Sequence, residues 1–143
     1  MEQLDRPDEI TWDERRLWFE ETEARHAAGG AGVLSEQAVA LMLDLQAAFC
    51  AGAWSAVVIL AAAIVDSQGR ETFQALDKKE RDWLRRLRNA LVHIHDKRSG
   101  ITMQDQWTGR DRWEKKARRA VALACRALYT AGEGSAEVDR QVL

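Results

Sequence analysis

The residues best suited to chemistry lie close together, in the segment RLRNALVHIH from Arg86 to His95. Arg88, Asn89, His93 and His95 supply a guanidinium, an amide and two imidazoles. Such a set suits cleavage of RNA without a metal. That reaction needs a group to take the proton from a ribose 2′-hydroxyl, or to give one to the departing 5′-oxygen. Histidine, with an intrinsic pKa of about 6.5, does either near neutrality. Donors are also needed for the charge that builds on the phosphorane, and a guanidinium supplies them as a rigid fork. An amide can orient the phosphate or the imidazole. The expected products are a 2′,3′-cyclic phosphate and a 5′-hydroxyl, because the 2′-hydroxyl is the one nucleophile these groups readily activate.

The periodicity predicts a helix from about Lys78 to His95, with Trp83, Leu84, Leu87, Leu91 and Ile94 as its buried stripe. On such a helix Asn89 and His93 are i,i+4 and share a face. Arg88 lies about 140° around from His93, yet its side chain is long enough to reach the same ligand. Arg88 and His95 are seven apart and nearly aligned, and Arg85 flanks Arg88. Arg85, His95, Lys97 and Arg98 are therefore the candidate RNA or phosphate contacts around Arg88, Asn89 and His93. Two plainer readings compete. The polar side is simply solvated, or His93 and Asn89 close the helix end or bond across a dimer interface; the dipole favours a histidine at the helix end in any case.

No metal or cofactor is implied. A zinc set from His93, His95 and Asp96 is disfavoured, because imidazoles two apart on a helix diverge and no third His or Cys is near. No carboxylate cluster suits a harder cation.

The elements that must position these groups all read as helices. The chain has 143 residues, 46% hydrophobic and 31% charged, which suits one domain with a real core. The net charge of −2 excludes a uniformly basic nucleic-acid binder but not a local basic patch. Only one proline is present and no alternating strand pattern occurs. A first helix is expected from a capping box at Thr11 and Glu14 to about Arg25, with Trp12, Trp18 and Phe19 packing on the bundle or on a second subunit. A second starts at Ser35 as N-cap and ends near Gly52. A third, from about Ala53 to Ser67, is apolar nearly all round and belongs in the middle of a bundle. Its single charge, Asp66, sits at the end where the dipole disfavours an anion, which hints at a supporting partner; plain exposure to water is the competing reading. RETFQALD reads as a short link and DKRSGITMQDQWTG as the longest irregular stretch. A last helix is expected from a capping box at Thr108 and Asp111, with Gly132 stopping it.

The expected fold is thus all-α, an antiparallel four-helix bundle over 35–132 with an extra acidic helix and Gly-rich turn in 1–34 and a loosely held tail, 133–143. Cys50 and Cys125 lie in apolar patterns without metal spacing and read as buried free thiols. The acidic start MEQLDRPDEI has no apolar h-region, and the longest apolar run, residues 51 to 65, is short for a bilayer. A cytoplasmic protein without a membrane segment is expected. Acids dominate before Ser35, bases dominate from Lys78 to Arg98, and the last helix adds Arg110, Arg112, Lys115, Lys116, Arg118 and Arg119. Three readings stand. The two basic helices share a phosphate-holding surface, the charges are only solvated with i,i+4 pairs such as Glu114 with Arg118, or the acidic N-terminal helix lies across a basic face.

At RNALVH, Arg88 to His93, the chain resembles the HEPN family. Its members are small all-α domains that commonly carry an arginine, often followed by a polar residue, and a histidine four to six residues after the arginine. The likeness extends over roughly Ser35 to Gly132, through the apolar helix ending in Asp66, the basic motif helix and the amphipathic helix after it. It implies a homodimeric ribonuclease whose two motifs meet across a two-fold axis, of the toxin or defence kind. Arg88 would contact the scissile phosphate, His93 would be the acid–base group and Asn89 would assist. A non-catalytic HEPN-like module that binds a nucleotide, an RNA or a protein is the alternative. Many such toxins pair with a nucleotidyltransferase antitoxin that modifies a tyrosine two residues after the histidine. Here that position is His95, and the single tyrosine, Tyr129, lies elsewhere.

Overall fold

The computed structural model describes residues 3–30, 34–93 and 98–129. Ile94, His95, Asp96, Lys97, Gly132 and the tail 133–143, named above, lie outside the described residues. Among the described residues the fold is all-helical, with no strand. The helices are α1 (Glu9–Ala27), α2 (Glu36–Ala51), α3 (Trp54–Ser67), α4 (Arg70–Ala75), α5 (Lys78–Val92), α6 (Met103–Thr108) and α7 (Arg110–Tyr129).

The apolar α3 is the centre. Val57, Val58, Ala61 and Ile64 are fully buried, and α3 packs against α2, α7 and α5. Small residues face it from α7, where Ala117, Ala120 and Ala124 are also fully buried. Side chains of that size let two helices approach closely. Cys50 and Cys125 are free and buried, as expected. Burial, with Glu23 nearby, pushes the Cys125 thiol up to about 12, so it stays a protonated core residue.

Helix α1 lies on α2 and α7 of its own chain. Phe19 is buried and Trp18 stacks on Phe49 with ring centres 5.0 Å apart. Phe49 meets Trp54 edge-on at 5.5 Å, so an aromatic chain joins α1 to the start of α3. Trp12 stays outside, 38% exposed. The cap of α1 is Asp8, whose carboxylate accepts from the Thr11 N–H at 2.7 Å. The expected box at Thr11 and Glu14 is not formed. Asp8 caps as well as threonine and starts the helix earlier, which leaves Thr11 inside the first turn.

Helix α2 begins as expected, with the Ser35 hydroxyl accepting from Ala38 N–H at 2.9 Å. It ends at Gly52, in the left-handed region at φ 75°. A side chain there would be strained and would meet the Arg15 and Arg110 guanidiniums at 3.0 and 3.1 Å. Those two arginines close the helix end. Arg15 donates to the Cys50 carbonyl at 3.1 Å and Arg110 to the Gly52 carbonyl at 2.6 Å. Both guanidiniums lie over the Trp54 ring, at 4.8 and 5.5 Å.

Four features differ from the sequence reading. The stretch RETFQALD contains α4, held by half-buried Phe73 and buried Leu76. Within the expected irregular stretch, Thr102 and Asp105 form the capping box that starts α6. Thr108 instead bonds back to the Gln104 carbonyl, and α7 begins at Arg110. Most important for the site, α5 stops at Val92 and His93 has extended backbone, φ −128° and ψ 143°. Val92, which lies off the stripe, is 43% exposed, whereas Leu91 still packs against the core. The returning chain crosses the end of α5 at Gly100, where a Cβ would sit 2.0 Å from the Ala90 carbonyl oxygen.

A strap joins α5 to α7. Arg119 binds the Glu80 carboxylate with two donors, one at 3.0 Å, and stacks over Trp83 at 4.0 Å. The hydrogen bond from Arg119 holds the Glu80 carboxyl below its usual value. A depressed carboxylate pKa stabilises the fold above the unfolded value, and the gain is lost as pH falls through the folded value. Arg119→Ala should therefore cost about 1 kcal/mol at pH 7. The gap from wild type should close below about pH 4. Urea denaturation across a pH series reads this, and a gap that widened in acid would refute the assignment.

Candidate functional site

The polar side of α5 forms one wall of a cleft. Arg81, Arg85 and Arg88 recur at i, i+4 and i+7 and so share a face. They line the cleft with Leu84, with Ala62, Val65 and Asp66 from α3, and with Phe73 from α4. Its volume is about 280 Å³, open to solvent, and its inner part has room for little more than one water molecule. The Phe73 ring lies under two guanidiniums, Arg81 at 4.6 Å and Arg85 at 5.5 Å.

Two atoms set this cleft apart. The Nε of Arg81 and the Nε of Arg88 are buried and have no hydrogen-bond partner among the described residues. A buried unpaired donor costs about 1–3 kcal/mol. Three like charges along one helix face add repulsion. The one carboxylate on the cleft, Asp66, is exposed at the end of α3 and makes no ion pair among the described residues. The arrangement is an electropositive pocket whose acceptors are incomplete.

Of the residues singled out in the sequence, Arg85, Arg88 and Asp66 are brought to this cleft. Asn89 is half-buried on α5, and its carbonyl accepts from the His93 N–H at 2.9 Å. His93 is exposed just past the helix and does not line the cleft with Arg88. The expected i,i+4 face shared by Asn89 and His93 required one more residue of helix, and the alignment of Arg88 with His95 required three. The early end of α5 removes the helical basis for the first, and His95 falls outside the described residues. Arg98 is exposed. Arg81 and Phe73 were missed as site residues. The arginine spacing carried the signal for Arg81, whereas Phe73 lay in a presumed link.

The basic residues of α7 are largely occupied elsewhere. Arg110 caps α2, Arg119 holds Glu80 and Arg112 pairs with Asp105 at 3.0 Å. Arg118 stacks over Trp18 at 4.5 Å and reaches Glu114 at 3.8 Å, the i,i+4 pair expected. A phosphate-holding surface built jointly by the two basic helices is therefore not what these contacts form. The acidic α1 does lie against α7, partly through Arg15 and Glu114 at 3.8 Å.

No group of three or more potential metal ligands occurs among the described residues, and no helix among them is long and apolar enough to cross a membrane. No protein-family model, no curated protein and no solved structure matches the chain.

Arginines kept for a ligand should be dispensable for folding. Arg88→Met removes a buried unpaired donor and one repulsive charge while keeping apolar contact. Its Tm should be unchanged or higher by up to about 3 °C. A calorimetric Tm lower by several degrees would make Arg88 a structural residue instead.

Proposed function

We propose that the chain is a HEPN-like helical bundle that acts as a metal-independent endoribonuclease, with a composite site in a homodimer. The observation that supports this best is the Arg81–Arg85–Arg88 cleft with its two unpaired Nε donors, on the helix that carries Asn89 and stops just before His93. Unpaired guanidinium donors suit phosphate oxygens, which accept several hydrogen bonds at once. Arg88 grips the scissile phosphate and stabilises the charge that builds on it. His93 takes the 2′-hydroxyl proton as the 2′-oxygen bonds to phosphorus, and a protonated imidazole returns a proton to the departing 5′-oxygen. Asn89 orients one of these groups. Because His93 lies outside the cleft of its own chain, the imidazole that meets Arg88 comes from the second copy. The four-helix arrangement of α2, α3, α5 and α7 belongs to the same proposal, as does a role as a toxin or defence nuclease, which stands on the family resemblance.

The separation of His93 from the arginine cleft also favours a second reading, a non-catalytic module that binds RNA through the same arginines. One experiment distinguishes them. Wild type and His93→Ala are incubated with mixed RNA in EDTA. Cleavage predicts 2′,3′-cyclic phosphate ends from wild type and a rate lower by about 100-fold or more in the variant. Intact RNA that both proteins bind equally selects the binding module.

A further inference from the structure

We infer that the cleft between α4 and α5 is a phosphate subsite in its own right, where Arg81, Arg85 and Arg88 hold consecutive phosphates of one RNA strand. This rests on the reading of the protein as an RNA binder and adds Arg81 and Phe73, which lie outside the motif. Arg81 and Arg88 are seven residues apart, two helical turns or on the order of 10 Å. That span exceeds a single phosphate and suits a strand laid along α5. The cleft admits little more than a water at its base, so the phosphates sit at its mouth and the guanidiniums turn outward to meet them.

Phe73 gives the guanidiniums a surface to lie on, which sets the planes of their forks. Both buried Nε donors lack an acceptor within the chain, and phosphate oxygens supply acceptors of the right charge. Asp66 has the opposite effect. Its carboxylate is exposed on the same cleft and repels an incoming phosphate, so it weakens binding. A structural arginine cluster would gain from Asp66, whereas a phosphate site gains from its removal.

The test uses a fluorescent 2′-O-methyl oligoribonucleotide, which lacks the nucleophile and cannot be cleaved, with anisotropy read across a salt series. Arg81→Gln combined with Arg85→Gln should lose about tenfold in affinity at low salt, and the log–log salt slope should shrink by about 1.4, two single-strand phosphate contacts. Asp66→Asn should bind a few-fold tighter. Arg86→Gln, exposed on α5 away from the cleft, should stay within about twofold of wild type. Should the double variant fail to fold, Arg85→Gln alone, at an exposed position, should shrink the slope by about 0.7. Wild-type affinity and slope in the arginine variants, with the oligonucleotide bound, overturn the subsite and leave the RNA reading standing. No binding by wild type overturns both.

Discussion

A helix with so broad an apolar face has to be covered, and α3 is such a helix, with Ile59 alone among its large apolar side chains left exposed. Val57, Val58, Ala61 and Ile64 make up that face, and all are fully buried. Water cannot cover that surface cheaply, so α2, α5 and α7 must, with α1 closing the seam between α2 and α7. The rest of the architecture follows from serving this one element. Gly52 allows α2 to turn tightly into α3, and the two arginines on Trp54 satisfy the carbonyls that the turn exposes. The small face of α7 lets it settle close against the same helix.

The site lies where that enclosure stops. Helix α5 buries only Leu84 fully, with Trp83, Leu87 and Leu91 half-covered, so it rides on the outside of α3. The flank beside Leu84 faces the edge of the core, at the C-terminal end of α3 and the short α4. That is where Arg81, Arg85, Arg88, Asp66 and Phe73 meet. The arginines of α7 contrast with them. They run along a helix packed tightly against aromatics and carboxylates, and they find Trp18, Glu80, Asp105 and Glu114 within reach. Chemically identical side chains therefore have different standing. Those on α7 are completed by the fold, and two of those on α5 are left with an unpaired donor.

Much of this was legible in the chain itself. The all-helical class, the N-cap at Ser35, the left-handed Gly52, the central α3 and the buried thiols each follow from local rules: a capping oxygen, a missing Cβ, a pattern of apolar residues. Rules of that range do not see what packs across. The capping pairs Thr11 with Glu14 and Thr108 with Asp111 have the right spacing, yet Asp8 starts α1, and α7 begins at Arg110 directly after α6, the helix that Thr102 caps. The short α4 was read as a link because six residues carry too little periodicity to register.

The residue types along α5 and their order are properties of the chain alone, and they determined the amphipathic helix and the three arginines on its polar face, since a helical period needs no partner. Where α5 ends, and what its arginines meet, only tertiary structure decided. Leu91 still packs on the core and Val92 is exposed, and Gly100 brings a second length of backbone against Ala90. That leaves His93 extended and outside the cleft. Which charges are satisfied depends on distances between helices far apart in sequence, and those distances are set by the packing around α3.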